Sequence, residues 1–128
     1  MINIIIADDQ QLFRKGFAMV LETIDNVRVM AEAGNGEELL KILEEKTPDI
    51  VFLDIDMPGL DGIGAARVLV RQYPDVKIIV LTMYEEESYF KKMEEIGVRN
   101  YMIKNSTTEE VSLAIHTVMN NKNYISQG

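Results

Sequence analysis

Apolar residues follow two alternating rhythms along this chain. Continuous apolar runs cover residues 4–7, 50–53 and 78–81, while Val27, Val29, Ala31 and Ala33 alternate with Arg28, Met30 and Glu32. A shorter mixed run spans residues 100–103. Between these runs, apolar positions step by three and four, as on one face of a helix. Phe13, Phe17, Val20 and Ile24 mark the first such stretch, Leu39 and Leu43 the second, which ends before Pro48, and Ile63, Ala66 and Val70 the third. Tyr89, Met93 and Ile96 mark a fourth, beginning near Glu85-Glu86-Glu87 and stopping at Gly97. Val111, Ile115 and Val118 mark the fifth, opened by a Thr107/Glu110 capping-box pattern.

Strands alternating with helices predict an α/β fold with a parallel sheet. The continuous runs read as strands covered by helices on both faces. The alternating second and the short fifth read as edges. Three interior and two edge strands fit the order 2-1-3-4-5, with helices on both faces.

That order gives the polar residues at the strand ends a meaning. Asp8 and Asp9 follow the first run, Asp54 the third, Thr82 the fourth and Lys104 the fifth. Ligands of open parallel sheets bind outside the carboxyl ends of the strands. With strand one beside strand three, the three acids become neighbours. Crowded carboxylates raise one another's pKa unless a cation relieves them. Mg²⁺ suits a site of few carboxylates plus phosphate and water. A carboxylate held like Asp54 can attack phosphorus and form an aspartyl phosphate, with Lys104 as a second positive charge and Thr82 as a hydroxyl donor. Taken singly, each has a plainer reading. Asp8 or Asp9 would cap the first helix, Lys104 would be a surface lysine, and Thr82 a strand former. The set at one edge favours the site.

Bulk properties narrow the partners. The 128 residues suffice for one domain with one core. A formal charge of −8 argues against this segment gripping DNA or an anionic membrane itself. It suits a cation or a basic protein partner. No apolar run approaches the roughly 20 residues of a membrane span, and the N-terminus carries no secretion-signal pattern. The chain has no cysteine, which excludes thiol chemistry and suits the cytoplasm. His116, the single histidine, sits among apolar helix positions and reads as a packing or surface residue.

The segments Ile6-Ala7-Asp8-Asp9, Leu53-Asp54-Ile55-Asp56-Met57-Pro58-Gly59, Leu81-Thr82-Met83 and Ile103-Lys104, in this order and spacing, resemble the receiver domain of two-component response regulators. Leu12-Phe13-Arg14-Lys15-Gly16, Gly34-Asn35-Gly36-Glu37-Glu38 and Tyr124-Ile125-Ser126 are most similar to its LuxR/FixJ-like (NarL-type) branch. The resemblance implies a flavodoxin-like (CheY-like) sheet, with residues 1–121 as the receiver and 122–128 starting a linker to an effector domain outside these residues. It implies Asp54 as phosphoacceptor and Mg²⁺ held by Asp9, Asp54 and the backbone carbonyl of Asp56, with Asp8 acting through water. Thr82 becomes the switch hydroxyl, Lys104 the phosphate partner and Tyr101 the aromatic that turns inward. A sensor histidine kinase would be the donor, a homodimer the phosphorylated output, and DNA would be reached only through a C-terminal helix-turn-helix domain.

Three positions depart from the pattern. Gln10 stands where the branch often has histidine, a change expected at the rim of the site. Asn105 follows Lys104 where many receivers have proline, which leaves the isomer of that peptide bond open. Asp56 adds a fourth acid.

Rival readings rank below this one. Asp54-Ile55-Asp56 resembles the DxD core of haloacid-dehalogenase-type phosphatases, but Pro58 and the position on a third strand do not fit. A phosphate-independent interaction module with a vestigial site is disfavoured by five filled key positions. A flavin-binding protein of similar fold would need a Ser/Thr/Gly-rich first loop, where this chain has Asp8-Asp9-Gln10-Gln11.

Overall fold

The computed structural model describes residues 1–83 and 87–126, without the side chains of Glu87 and Ser88. Strands β1 (Ile2–Ala7), β2 (Val27–Ala33), β3 (Ile50–Asp54), β4 (Lys77–Thr82) and β5 (Tyr101–Ile103) form one parallel sheet in the order β2-β1-β3-β4-β5. Helices α1 (Gln11–Glu22), α2 (Gly36–Leu43), α3 (Gly62–Gln72), α4 (Glu87–Ile96) and α5 (Thr108–Met119) alternate with them. The predicted order therefore holds, and the two patterned edge strands lie at the edges.

Side chains of a strand point alternately to opposite faces, and the interior strands exploit this fully. Ile5, Ala7, Val51 and Leu53 join Leu39, Ala65, Leu69 and Met93 in a core on one face. Ile4, Ile6, Ile50 and Phe52 join Phe17, Leu21, Val111 and Ile115 on the other. All five residues of β3 are buried, which explains its unbroken apolar run up to the acid. Among the described residues, no helix is long and apolar enough to cross a membrane.

The helical stripes came out shifted in two places. The fully buried position of α1 is Leu21, not its half-buried neighbour Val20, and Ile24 is buried in the turn beyond the helix. On α3 the central contact is Leu69, with Ile63 and Val70 packed at its margin. Both helices carry apolar residues at adjacent positions, so spacing alone could not orient them. The capping box at α5 forms as expected, Thr107 Oγ1 accepting from Glu110 N and Glu110 Oε1 from Thr107 N. Glu85 and Glu86, expected to open α4, lie outside the described residues.

Strand register sets the site. Ala7 pairs with Leu53, Asp54 with Leu81 and Thr82 with Ile103. Asp8, Asp54, Thr82 and Lys104 are thereby brought to one edge of the sheet. The chain leaving Asp54 is then drawn tightly onto α3. Gly62 N donates to Ile55 O at 3.2 Å, and a Cβ on Gly62 would collide with the Asp54 carbonyl oxygen and stand 2.8 Å from Ile55 Cα. Those obstacles are backbone and cannot swing aside. Gly62→Ala is expected to lower unfolding free energy by about 2–4 kcal/mol, measured by urea denaturation. An unchanged midpoint would contradict this account of the turn.

Candidate functional site

Asp8 is fully buried just past β1. Its Oδ1 accepts from Gln10 N at 2.8 Å, bending the chain into α1. The N-cap of that helix is Gln10, with no side-chain cap bond, so neither Asp8 nor Asp9 caps it. From α1, Arg14 Nη1 donates to Asp8 O at 2.7 Å while its Nε donates to Glu32 on β2 at 3.0 Å. The turn bearing the acid pair is thus tied to its neighbouring strand. Asp9 is exposed.

Asp54 ends β3 and is 4% exposed. Its Oδ1 accepts from Asp56 N at 3.2 Å, and the Asp56 side chain faces solvent. The loop beyond is held from α2, where Glu37 Oε1 accepts from Leu60 N at 2.7 Å beside Gly59, whose φ is +71°. Asp61 caps α3 by accepting from Gly64 N at 2.8 Å.

Carboxylate oxygens of Asp8, Asp9 and Asp54 all lie within 4.8 Å of one another. Asp8 Oδ2 is buried, with the Lys104 ammonium 2.8 Å away as its ion-pair partner. Three hard carboxylate oxygens fit a divalent cation of the Mg²⁺ type. Burial pushes the Asp54 carboxyl up to about 7; the Asp8 charge adds to the rise, and Lys104 and the Asp56 N–H oppose it.

Lys104 is the internal counter-charge. Its side chain is 6% exposed, with Nζ 2.8 Å from Asp8 Oδ2 and 3.5 Å from Asp54 Oδ1. Nζ donates to Gln10 Oε1 at 2.6 Å and stands 4.8 Å from the centre of the Phe13 ring, a cation–π contact. Gln10 is therefore more than rim. Its amide holds the lysine directly, a role that a polar loop residue gives no sign of in sequence. Phe13, counted as a core position, also serves as the floor under that ammonium. Among the described residues there is no cis peptide bond, so Lys104-Asn105 is trans.

Thr82 ends β4, is 7% exposed, and accepts from Lys104 N through its carbonyl at 2.9 Å. Asp54, Asp56, Thr82, Lys104 and Gln10 line a cavity of about 170 Å³, room for a phosphoryl-sized group. Tyr101 lies two residues back from the Thr82-paired Ile103 and is buried. Its ring packs against Phe90 of α4, centroids 4.3 Å apart, and its hydroxyl lies 2.9 Å from Phe90 O and 3.0 Å from Val98 O. Burial raises the phenol pKa, with Glu94 adding and Arg99 opposing, which keeps it a donor. The tyrosine thus packs inward against α4.

The family model described as the response regulator receiver domain matches residues 4–116. The chain belongs to that family. This receiver is 37% identical over 126 residues to the response regulator GacA of Pseudomonas aeruginosa, covering 98% of this chain and 59% of GacA. It superposes with a TM-score of 0.90 and 30% identity on a LuxR-family two-component response regulator from Aurantimonas, covering 97% of this chain and 89% of that one. The isolated receiver domain of RcsB from Salmonella enterica, solved with phosphomimetic BeF3−, gives a TM-score of 0.88 at 26% identity, covering 98% and 94%. The receiver spans about three fifths of the length of GacA.

The raised Asp54 pKa carries a sign. The folded receiver holds that proton more tightly than the unfolded chain, whose Asp titrates near 3.9. The resulting stability is fully present below that value and lost as pH rises through about 7. Metal-free receiver is expected to lose about 1–3 kcal/mol relative to Asp54→Asn between pH 5 and 8, a partial share because the unfolded Asp already titrates below pH 5. Mg²⁺ should restore part of the loss at pH 8. Urea unfolding at both pH values checks this, and a pH-independent difference between the two proteins contradicts it.

Proposed function

We propose that this receiver accepts a phosphoryl group on Asp54 and uses it to switch the surface around β5. The observation that carries the proposal is the buried Asp54 carboxylate, flanked by two further acids and faced by Lys104 at 3.5 Å. Asp9, Asp54 and the Asp56 carbonyl would hold Mg²⁺, with Asp8 acting through water. The ion would supply charge neutralisation for the incoming phosphoryl oxygens.

The chain's own residues do the rest. An Asp54 oxygen forms the new bond to phosphorus while the bond to the donor breaks, and the donor leaves with that electron pair and takes a proton from solvent. Asp8 holds Lys104 beside the reaction centre, and Lys104 turns toward the added anionic oxygens. Thr82, one strand over, offers its hydroxyl to the same group. Tyr101 on the adjacent β5 is already inside, so its place against α4 depends on where Thr82 and β5 sit. Phosphorylation biases two conformations only by its differential affinity for them.

A sensor histidine kinase as donor, a cytoplasmic setting, a homodimer as output and a C-terminal helix-turn-helix domain on DNA belong to the same proposal. They rest on the kinship with LuxR-family regulators and on a negative charge that suits the receiver to protein rather than DNA contact.

Intact-protein mass after incubation with a small phosphodonor tests the reading. A gain of one phosphoryl group that requires Mg²⁺ and vanishes in Asp54→Ala is expected. No gain in folded protein would move the assignment to a phosphate-independent binding module.

A further inference from the structure

The segment after α5 is not a free tail. Residues 124–126 run parallel along the outer edge of β5, with Ile125 bridged to Tyr101. Tyr101 N donates to Tyr124 O at 2.9 Å and Ser126 N donates to Tyr101 O at 3.0 Å. Tyr124 N donates to Asn100 Oδ1 at 3.0 Å, and Asn100 Nδ2 donates to Ile78 O at 3.1 Å. The last bond is made by a side chain: Ile103 N donates to Ser126 Oγ at 3.0 Å. The serine hydroxyl takes the place that a carbonyl would occupy in a longer strand.

Two features set this contact apart from ordinary edge cover. Ser126 is 6% exposed although it lies near the end of the described chain, whereas Ile125 beside it is 55% exposed. The segment is therefore anchored by polar groups and by Tyr124, which packs against the core, and not by Ile125. The strand it grips is also the one that matters. β5 has three residues, and it carries Tyr101 at one end and delivers Lys104 at the other. Lys104 reaches Asp8 and Asp54, and Tyr101 reaches α4.

We propose that Ser126 is a positioning residue for the phosphoryl site, acting through Ile103 and β5, and that docking of residues 124–126 and occupancy of Asp54 strengthen each other. The proposal rests on the receiver reading above. The direction follows from shared ordering. A phosphoryl group needs Lys104 and Thr82 held in place, and the tail needs β5 held in place. Whichever binds first orders the short strand, so the second loses less conformational freedom. Such coupling is reciprocal. It would carry the state of Asp54 directly into the segment by which the chain leaves the domain.

Amide hydrogen exchange and affinity for BeF3− in the presence of Mg²⁺ test this on the full chain. Wild type is expected to show slower exchange at the Ile103 and Ser126 amides when BeF3− is bound. Ser126→Ala, which removes the hydroxyl, and Ser126→Pro, which removes the N–H, should each weaken BeF3− binding about fivefold or more. Mg²⁺ affinity without BeF3− should not fall by more than about twofold, because the acids that follow β1 and end β3 are held by their own strands and a loosened Lys104 would compete less with the ion. Ile125→Ala should leave both affinities unchanged. Unaltered exchange with BeF3− bound, equal BeF3− affinity in the serine variants, or a parallel loss of Mg²⁺ affinity would overturn the proposal. Wild type that binds no BeF3− with Mg²⁺ present would instead overturn the receiver reading itself.

Discussion

Three carboxylates share one edge of a sheet, their oxygens within 4.8 Å of one another, and two of them are buried. Like charges at that spacing in a partly dry setting repel by several kcal/mol unless a proton or a cation intervenes. This constraint explains the surroundings. Lys104 is drawn in from the far edge strand to lie between Asp8 and Asp54, and burial, with the Asp8 charge adding to it, pushes the Asp54 carboxyl up to about 7 despite the lysine. A site with surplus negative charge suits a cation, and a bound cation would suit it to the oxygens of a phosphoryl group.

The scaffold keeps the acids from relieving their repulsion by moving apart. β3 is buried along its whole length, so Asp54 cannot swing outward without exposing Leu53 and Phe52. Arg14 ties the Asp8 carbonyl to Glu32 on β2, and the turn after Asp54 is pressed against Gly62. Lys104 is braced in the same way by Gln10 and the Phe13 ring. Local crowding is thus held by many contacts that are individually ordinary. The edge strand β5 is the least secured part of this frame, with three residues and one paired sheet edge. Its second edge is closed by the chain's own segment 124–126.

Much of this was legible beforehand because strand burial and strand chemistry are written in the same places. Continuous apolar runs identified the interior strands, and their order brought Asp8, Asp9 and Asp54 together. Helix orientation was less legible. Val20 and Leu21 are both apolar, and only packing against Phe52 and its neighbours decides that Leu21 turns inward. The bond from Lys104 to Gln10 spans 94 positions between two residues with no apolar signature. The pairing of Tyr124 to Ser126 with β5 was equally hidden. It is made of backbone groups, one hydroxyl and the Asn100 side chain, which leave no periodicity to read.

The most direct measurement is a carbon-13 NMR titration of the Asp54 side-chain carboxyl in metal-free protein, repeated with saturating Mg²⁺ and in Lys104→Met. A midpoint of about 7 is predicted, falling when Mg²⁺ is added and rising when the lysine charge is removed. An ordinary midpoint near 3.9 that ignores both changes would contradict the claim that crowded, buried charge is what makes this site.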